Sequence, residues 1–202
     1  MPFKLTPSAI FLILANFVPI FGVLFLGWDT VAILVLYWLE SVILGVLNIP
    51  KILACRRMGV SLSTAVLANL FIAVFYIVHY GMFTGVHGVF LAEMFAARPM
   101  MEGLLSGNAI LWTVAAFLVS HIFSMLVNFF GKKEYLTRTA REQMVSVYGR
   151  VFVMHIVVLL GGFAIQSFGA PIIAVIMLIV LKTGFDLASH RKEHAARDAV
   201  AL

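Results

Sequence analysis

Apolar residues run along this chain in blocks of roughly 20, parted by short clusters of Gly, Pro and charge, which is the length a bilayer-crossing helix needs. Six segments qualify: 8–26, 30–49, 64–86, 108–130, 150–166 and 172–190. The pattern predicts an all-α polytopic membrane protein, one transmembrane bundle over residues 1–202. Pro19 should bend the first helix, because an interior Pro removes a backbone bond. Gly27, Trp28 and Asp29 make the first turn, Pro50 is expected to end the second helix, and Gly169, Ala170 and Pro171 make the last turn. Residues 91–107 hold Glu93, Arg98, Pro99 and Glu102, too polar to span, and read as a short surface piece. In the basic loop 131–149, Thr139 and Glu142 have capping-box spacing and should start a short interfacial helix.

Composition agrees with that pattern. Hydrophobic residues make up 63% of the chain and charged ones 11%, against about 25% charged in a soluble domain. The hydrophobic start has only Lys4 ahead of it and no small-x-small cleavage site, so it reads as a retained helix and not a signal peptide. Cys55 is the single cysteine, which excludes an intrachain disulfide. The net charge of +5 matters through its placement. Lys4, then Lys51, Arg56 and Arg57, then Lys132, Lys133, Arg138, Arg141 and Arg150, then Arg191, Lys192 and Arg197 fall on alternate loops: twelve cations against Arg98 alone. By the positive-inside rule both termini are expected in the cytoplasm. Topology and attraction to anionic lipid account for these loops, leaving nothing that asks for nucleic acid.

The chemistry must then lie in polar groups set inside apolar segments. The segment 71–90 carries His79 and His87, about 80° and 12 Å apart on one helix. Gly81, Gly85 and Gly88 lie among them and should let a neighbouring helix come close. Centring each helix in the bilayer puts Glu40 near the midplane, His79 and His121 within about 6 Å of it, His155 towards the cytoplasmic end and His87 at the outer mouth. Tyr37 and Glu40 share a face, as do His121, Ser124 and Asn128, and Lys182, Asp186, His190 and His194. Intramembrane ionisable groups usually face a bundle interior and mark function.

Imidazole and carboxylate are ordinary ligands for zinc, iron, manganese or copper. Glu40, His79 and His121 are therefore the expected metal ligands. His155 and Asp186 would orient them or form a second site, with His87 at the outer mouth. A b-type haem clamped by His79 and His121 is a variant of this reading. Met82, Met94, Met100 and Met101 near His87 suggest soft copper ligands, although Met is also an ordinary gap-filler. There is no HExxH and no other sharp ligand spacing. The competing account is interhelical hydrogen bonding, with each His held by a Ser, Tyr or Asn. His190 and His194 fit a solvated helix end.

YWLE (37–40), HYGMFTGVHGVF (79–90), SHIFSMLVNF (120–129), GKKEY (131–135), YGRVFVMH (148–155) and KTGFDLASH (182–190) carry a resemblance. The chain resembles, over nearly its whole length, an uncharacterised family of bacterial six-pass inner-membrane proteins. The resemblance implies the six-helix topology and the bacterial inner membrane, and no activity. It does not extend to rhomboid proteases, whose GxSG serine is missing.

Three functions compete on this reading. One is a metal-dependent membrane enzyme or metal-binding protein. Another is a proton-coupled transporter or channel titrating Glu40 and Asp186, for which one bundle without internal repeats is small unless it is a homo-oligomer. The third is an accessory or assembly subunit of a larger membrane complex, its only certain partner the lipid bilayer.

Overall fold

The computed structural model describes residues 21, 23–25, 27, 29–56, 61–95, 99, 108–169, 172–174 and 176–184. Most of the first expected helix, with Pro19, lies outside these residues, as do Asp186, His190 and the C-terminal tail. Among the described residues all regular structure is helical. The elements are α1 (Thr30–Ala54), α2 (Leu62–Met94), α3 (Asn108–Ser124), α4 (Ala140–Val145), α5 (Tyr148–Phe168) and α6 (Ile172–Gly184). Between α3 and α4 come a π-helical stretch, Met125–Gly131, and a 3₁₀ turn, Glu134–Leu136. Four stretches are long and apolar enough to cross a membrane: Thr30–Ala54, Leu62–Met94, Val114–Gly131 and Ala140–Gly161. Phe71, Val78, Val89, Leu126 and Phe152 stand exposed along them, as residues covered by lipid would.

Local chemistry sets the boundaries. Gly27 has a φ of +68°, and the Asp29 carboxylate accepts from Val31 N at 2.7 Å and Ala32 N at 3.0 Å, capping α1. The helix does not stop at Pro50 but continues to Ala54. Proline deletes only its own N–H bond, a local loss that an apolar helix tolerates. Ser61 caps α2, accepting from Thr64 N. With 33 residues, α2 is about 50 Å long and takes in Glu93, so the segment expected to lie on the surface begins inside it. The expected capping box forms: the Thr139 hydroxyl accepts from Glu142 N and the Glu142 carboxylate accepts from Thr139 N.

The chain divides into two compact units: Val35–His155, and the described parts of Met1–Leu34 with Ile156–Leu202. Within Val35–His155, α1 and α2 form an antiparallel hairpin. Four side chains fasten it by donating to main-chain carbonyls across the seam. Trp38 Nε1 donates to Thr84 O (2.8 Å), Tyr80 Oη to Ser41 O (2.8 Å) and Tyr76 Oη to Gly45 O (3.1 Å). Asn69 Nδ2 bonds both Cys55 O (2.6 Å) and Leu53 O (3.1 Å). Each buried donor is thus satisfied where no water would be at hand. The close glycines are Gly45 and Gly88, where an added Cβ would sit 2.3 Å from Tyr80 Cε1 and 2.7 Å from Trp38 Cζ2. At Gly81 and Gly85 an added Cβ would meet nothing within 4 Å, because both border a recess beside the seam that Trp38, Val42, Tyr76 and Tyr80 also line.

Elements of the basic loop fold back onto this hairpin. Gln143 Nε2 donates to Asn48 Oδ1 (2.7 Å), Asn48 Nδ2 returns a bond to Gln143 O (3.3 Å), and both residues are buried. Arg56 N donates to Tyr135 O at 2.6 Å. Ile52, Cys55, Tyr76, Tyr80, Phe129, Ala140 and Val151 make one apolar cluster beneath these contacts.

Candidate functional site: a Glu–His–Arg triad and an imidazole seam

Glu40 sits mid-way along α1, one turn beyond Tyr37. His121 Nε2, from α3, lies 3.3 Å from Glu40 Oε1. The other carboxylate oxygen accepts a hydrogen bond from Arg150 at the start of α5, in a charge pair. The Arg150 guanidinium also lies 4.8 Å from the centre of the Tyr37 ring, a cation–π contact. Its Nε is buried without a hydrogen-bond partner. Three helices thus bring a carboxylate, an imidazole and a guanidinium to one point, each about one-quarter exposed.

A second polar line follows the seam between α2 and α5. His79 Nδ1 is 2.8 Å from Tyr148 Oη, and His87 Nε2 is 3.3 Å from His155 Nδ1. The partners differ by 69 and 68 in number, so the two helices run parallel at constant register. Tyr148 sets its edge against Tyr76 and Tyr80, and Phe83 lies between the His79–Tyr148 pair and the His87–His155 pair. His79, Phe83, Tyr148, Val151, Phe152 and His155 line a recess of about 270 Å³.

This arrangement separates the expected metal ligands. Glu40 and His121 meet, but His79 is engaged by Tyr148 on another helix. Among the described residues no three His, Cys, Asp or Glu side chains gather where a metal could be held. The charge of Glu40 is answered by Arg150, which the loop-charge count had placed outside the bundle. His79 and His121 likewise have separate partners, Tyr148 and Glu40. Asp186 lies outside the described residues, as do Met100 and Met101, while Met82 is exposed on α2. His155 does not sit a membrane's depth from His87 but touches it. Centring each helix separately hid this, because α2 is longer than expected and Tyr148, at the start of α5, stands level with His79, midway along α2.

The polar positions quoted above, from YWLE to YGRVFVMH, are now fixed in one helical unit, and a family model spans them all. The chain belongs to DUF6498, a family of unknown function, whose model matches residues 2–201. No curated protein and no solved structure matches this DUF6498 member.

Arg150, Asn48 and Gln143 escaped the sequence reading. For Arg150 a signal was present. Glu40 interrupts an apolar helix and needs a cation, and Arg150 stands two residues from a Tyr and five from a His that already pointed inward. Nothing in the sequence singled out Asn48 and Gln143, whose pairing spans 95 residues.

Proposed function

We propose that this protein is a proton-coupled membrane carrier or channel, with Glu40, His121 and Arg150 as its coupling centre. The observation that carries this reading is the sharing of one carboxylate by a permanent cation and an imidazole. Arginine stays charged throughout the physiological range, whereas imidazole is the side chain whose ordinary titration falls between pH 5 and 8. A proton taken up by His121 makes it a second cation at Glu40. It then competes with Arg150 for the carboxylate, and Arg150 can lean on the Tyr37 ring. Proton gain is thereby linked to the strength of the bond between α1 and α5. An uncompensated Glu at this depth would cost about 3 kcal/mol even on the lenient insertion scale, so the triad changes partners without leaving its charge bare. On this reading the chain crosses the bacterial inner membrane six times with both termini in the cytoplasm, as the basic loops suggest. A homo-oligomer would supply the pathway that one small bundle lacks.

Purified protein in liposomes, with a potassium–valinomycin potential and a pH-sensitive dye inside, tests the reading. Proton flux above that of protein-free vesicles is expected, with loss of at least tenfold in Glu40→Gln and His121→Gln. Equal flux in Glu40→Gln and the unaltered protein would overturn it.

A further inference from the structure

A proton that reaches the triad must arrive at one particular atom. His121 meets Glu40 through Nε2, so the tautomer that donates to the carboxylate keeps its lone pair on Nδ1. Nδ1 is therefore where a proton would add. Among the described residues it has no hydrogen-bond partner, and the His121 side chain is 23% exposed.

From that ring a polar line runs along the same helix face to the basic loop. Ser124 lies one turn on from His121, Asn128 one turn beyond it and Lys132 a further turn. Asn128 Nδ2 donates to Ser124 Oγ at 3.2 Å, and Lys132 Nζ donates to Asn128 Oδ1 at 2.8 Å. Spacings of three, four and four keep the set on one face, about 16 Å from end to end at 1.5 Å per residue. Asn128 belongs to the π-helical stretch Met125–Gly131, a form found frequently at functional sites. The rest of the helix surface is of another kind: Ile122, Phe123, Leu126 and Val127 stand exposed as residues covered by lipid do. Ser124 and Asn128 lie inside the same apolar span, Val114–Gly131, with Ser124 exposed and Asn128 half-buried. The line satisfies itself only in part. Asn128 uses one of its two amide protons and Lys132 one of its three, and the donors left over gain nothing from hydrocarbon.

We infer that Ser124, Asn128 and Lys132 wall a water-filled path from the basic-loop side, cytoplasmic on the proposed topology, to Nδ1 of His121. The amide of Asn128 does not titrate, so the water carries the proton and the side chains hold the water in line. The Lys132 ammonium, a strongly hydrated point charge, stands at the mouth. What the path delivers rests on the proton-coupled reading of the triad; where the water lies does not.

Single cysteines introduced into the full chain, whose native Cys55 is buried, test the path. Everted membrane vesicles are treated with a membrane-impermeant methanethiosulfonate, which attacks a thiolate and so reports water at the sulfur. Ser124→Cys and Asn128→Cys are expected to label at least tenfold faster than Phe123→Cys and Val127→Cys, their sequence neighbours on the apolar side. A line covered by lipid or by a second copy of the chain would label as slowly as that side, and equal rates overturn the path. Labelling of Ser124→Cys that is faster in right-side-out vesicles overturns it too. Should Asn128→Cys fail to fold, Ser124→Cys against Phe123→Cys decides. The labelling needs no proton flux, so fast labelling in a protein that moves no protons supports the path and defeats only the coupling reading. Where liposome flux is measurable, Asn128→Leu should lower it at least threefold, and undiminished flux overturns the path's role in delivery.

Discussion

Replacing Gly45 by Ala puts a methyl group where α1 meets the Tyr80 ring. The new Cβ would lie 2.3 Å from Tyr80 Cε1, and ordinary contact begins at 3.4 Å, so the ring or the helix must give by 3.4 − 2.3 = 1.1 Å. The ring has little freedom to retreat. Its hydroxyl is tied to Ser41 O at 2.8 Å, its face is 5.0 Å from Tyr76, and it is 4% exposed. A retreat of that size breaks the hydrogen bond, worth about 1 kcal/mol. Overpacking adds about 1–3 kcal/mol, while the better helix propensity of Ala returns about 1 kcal/mol. The net expectation is a loss of about 1–3 kcal/mol, or a melting point lower by about 4–8 °C at the middle of that range. Thermal unfolding in mild detergent, followed by circular dichroism, measures it. The same substitution in a Tyr80→Leu background should cost under about 0.5 kcal/mol, because the obstructing ring is gone. A Gly45→Ala protein as stable as the unaltered one, or an equal loss in both backgrounds, would show that the α1–α2 approach is not set at this contact.

Other expectations follow from the same unit. Arg150→Met should destabilise the protein by about 2 kcal/mol, between the 3–5 kcal/mol of a fully buried broken pair and the under 1 kcal/mol of an exposed one. Adding Glu40→Gln should restore most of that loss in the same detergent assay, and additive losses would deny the pairing. Burial pushes the Cys55 thiol up to about 11, which leaves roughly a hundredfold less thiolate at neutral pH than an ordinary cysteine has. Maleimide labelling at pH 7.5 should accordingly be slow in the folded protein and fast after SDS unfolding; rapid labelling of the folded state would contradict the burial. Reporter fusions at Asp29, Arg98 and Phe168 should read periplasmic, and a cytoplasmic reading at Arg98 would break the six-pass topology.

Much of the helical layout was legible because apolar run length is a direct consequence of bilayer thickness. The start at Asp29, the Thr139–Glu142 box and the reversal at Gly27 each rest on a few neighbouring residues. Pro50 misled because a proline's cost is local and the surrounding helix absorbs it. Within the site, Glu40 with His121 could be foreseen from depth. The partner of His79 could not, since depth was estimated helix by helix and the offset of α5 against α2 is a tertiary quantity. Once Tyr148 stands level with His79, the meeting of His155 and His87 follows from helix rise alone. Arg150 was read as a topological charge because its position at a helix start resembled a loop.

The α1–α2 hairpin is written in a one-sided code. Its donors are the side chains of Trp38, Tyr76, Tyr80 and Asn69, but every acceptor is a carbonyl of the main chain. Exchanging the acceptor residues Ser41 or Thr84 leaves those carbonyls in place. Alanine scanning should therefore find the seam at its donors and pass silently over Ser41 and Thr84, with Gly45 the exception because its Cβ would meet the Tyr80 ring. The donor and acceptor positions of these hydrogen bonds would not need to change together, so co-variation between sequences would register the close packing of Gly45 on Tyr80 and Gly88 on Trp38 but understate the bonds themselves. The hairpin is free to vary at Ser41 and Thr84 while keeping its register.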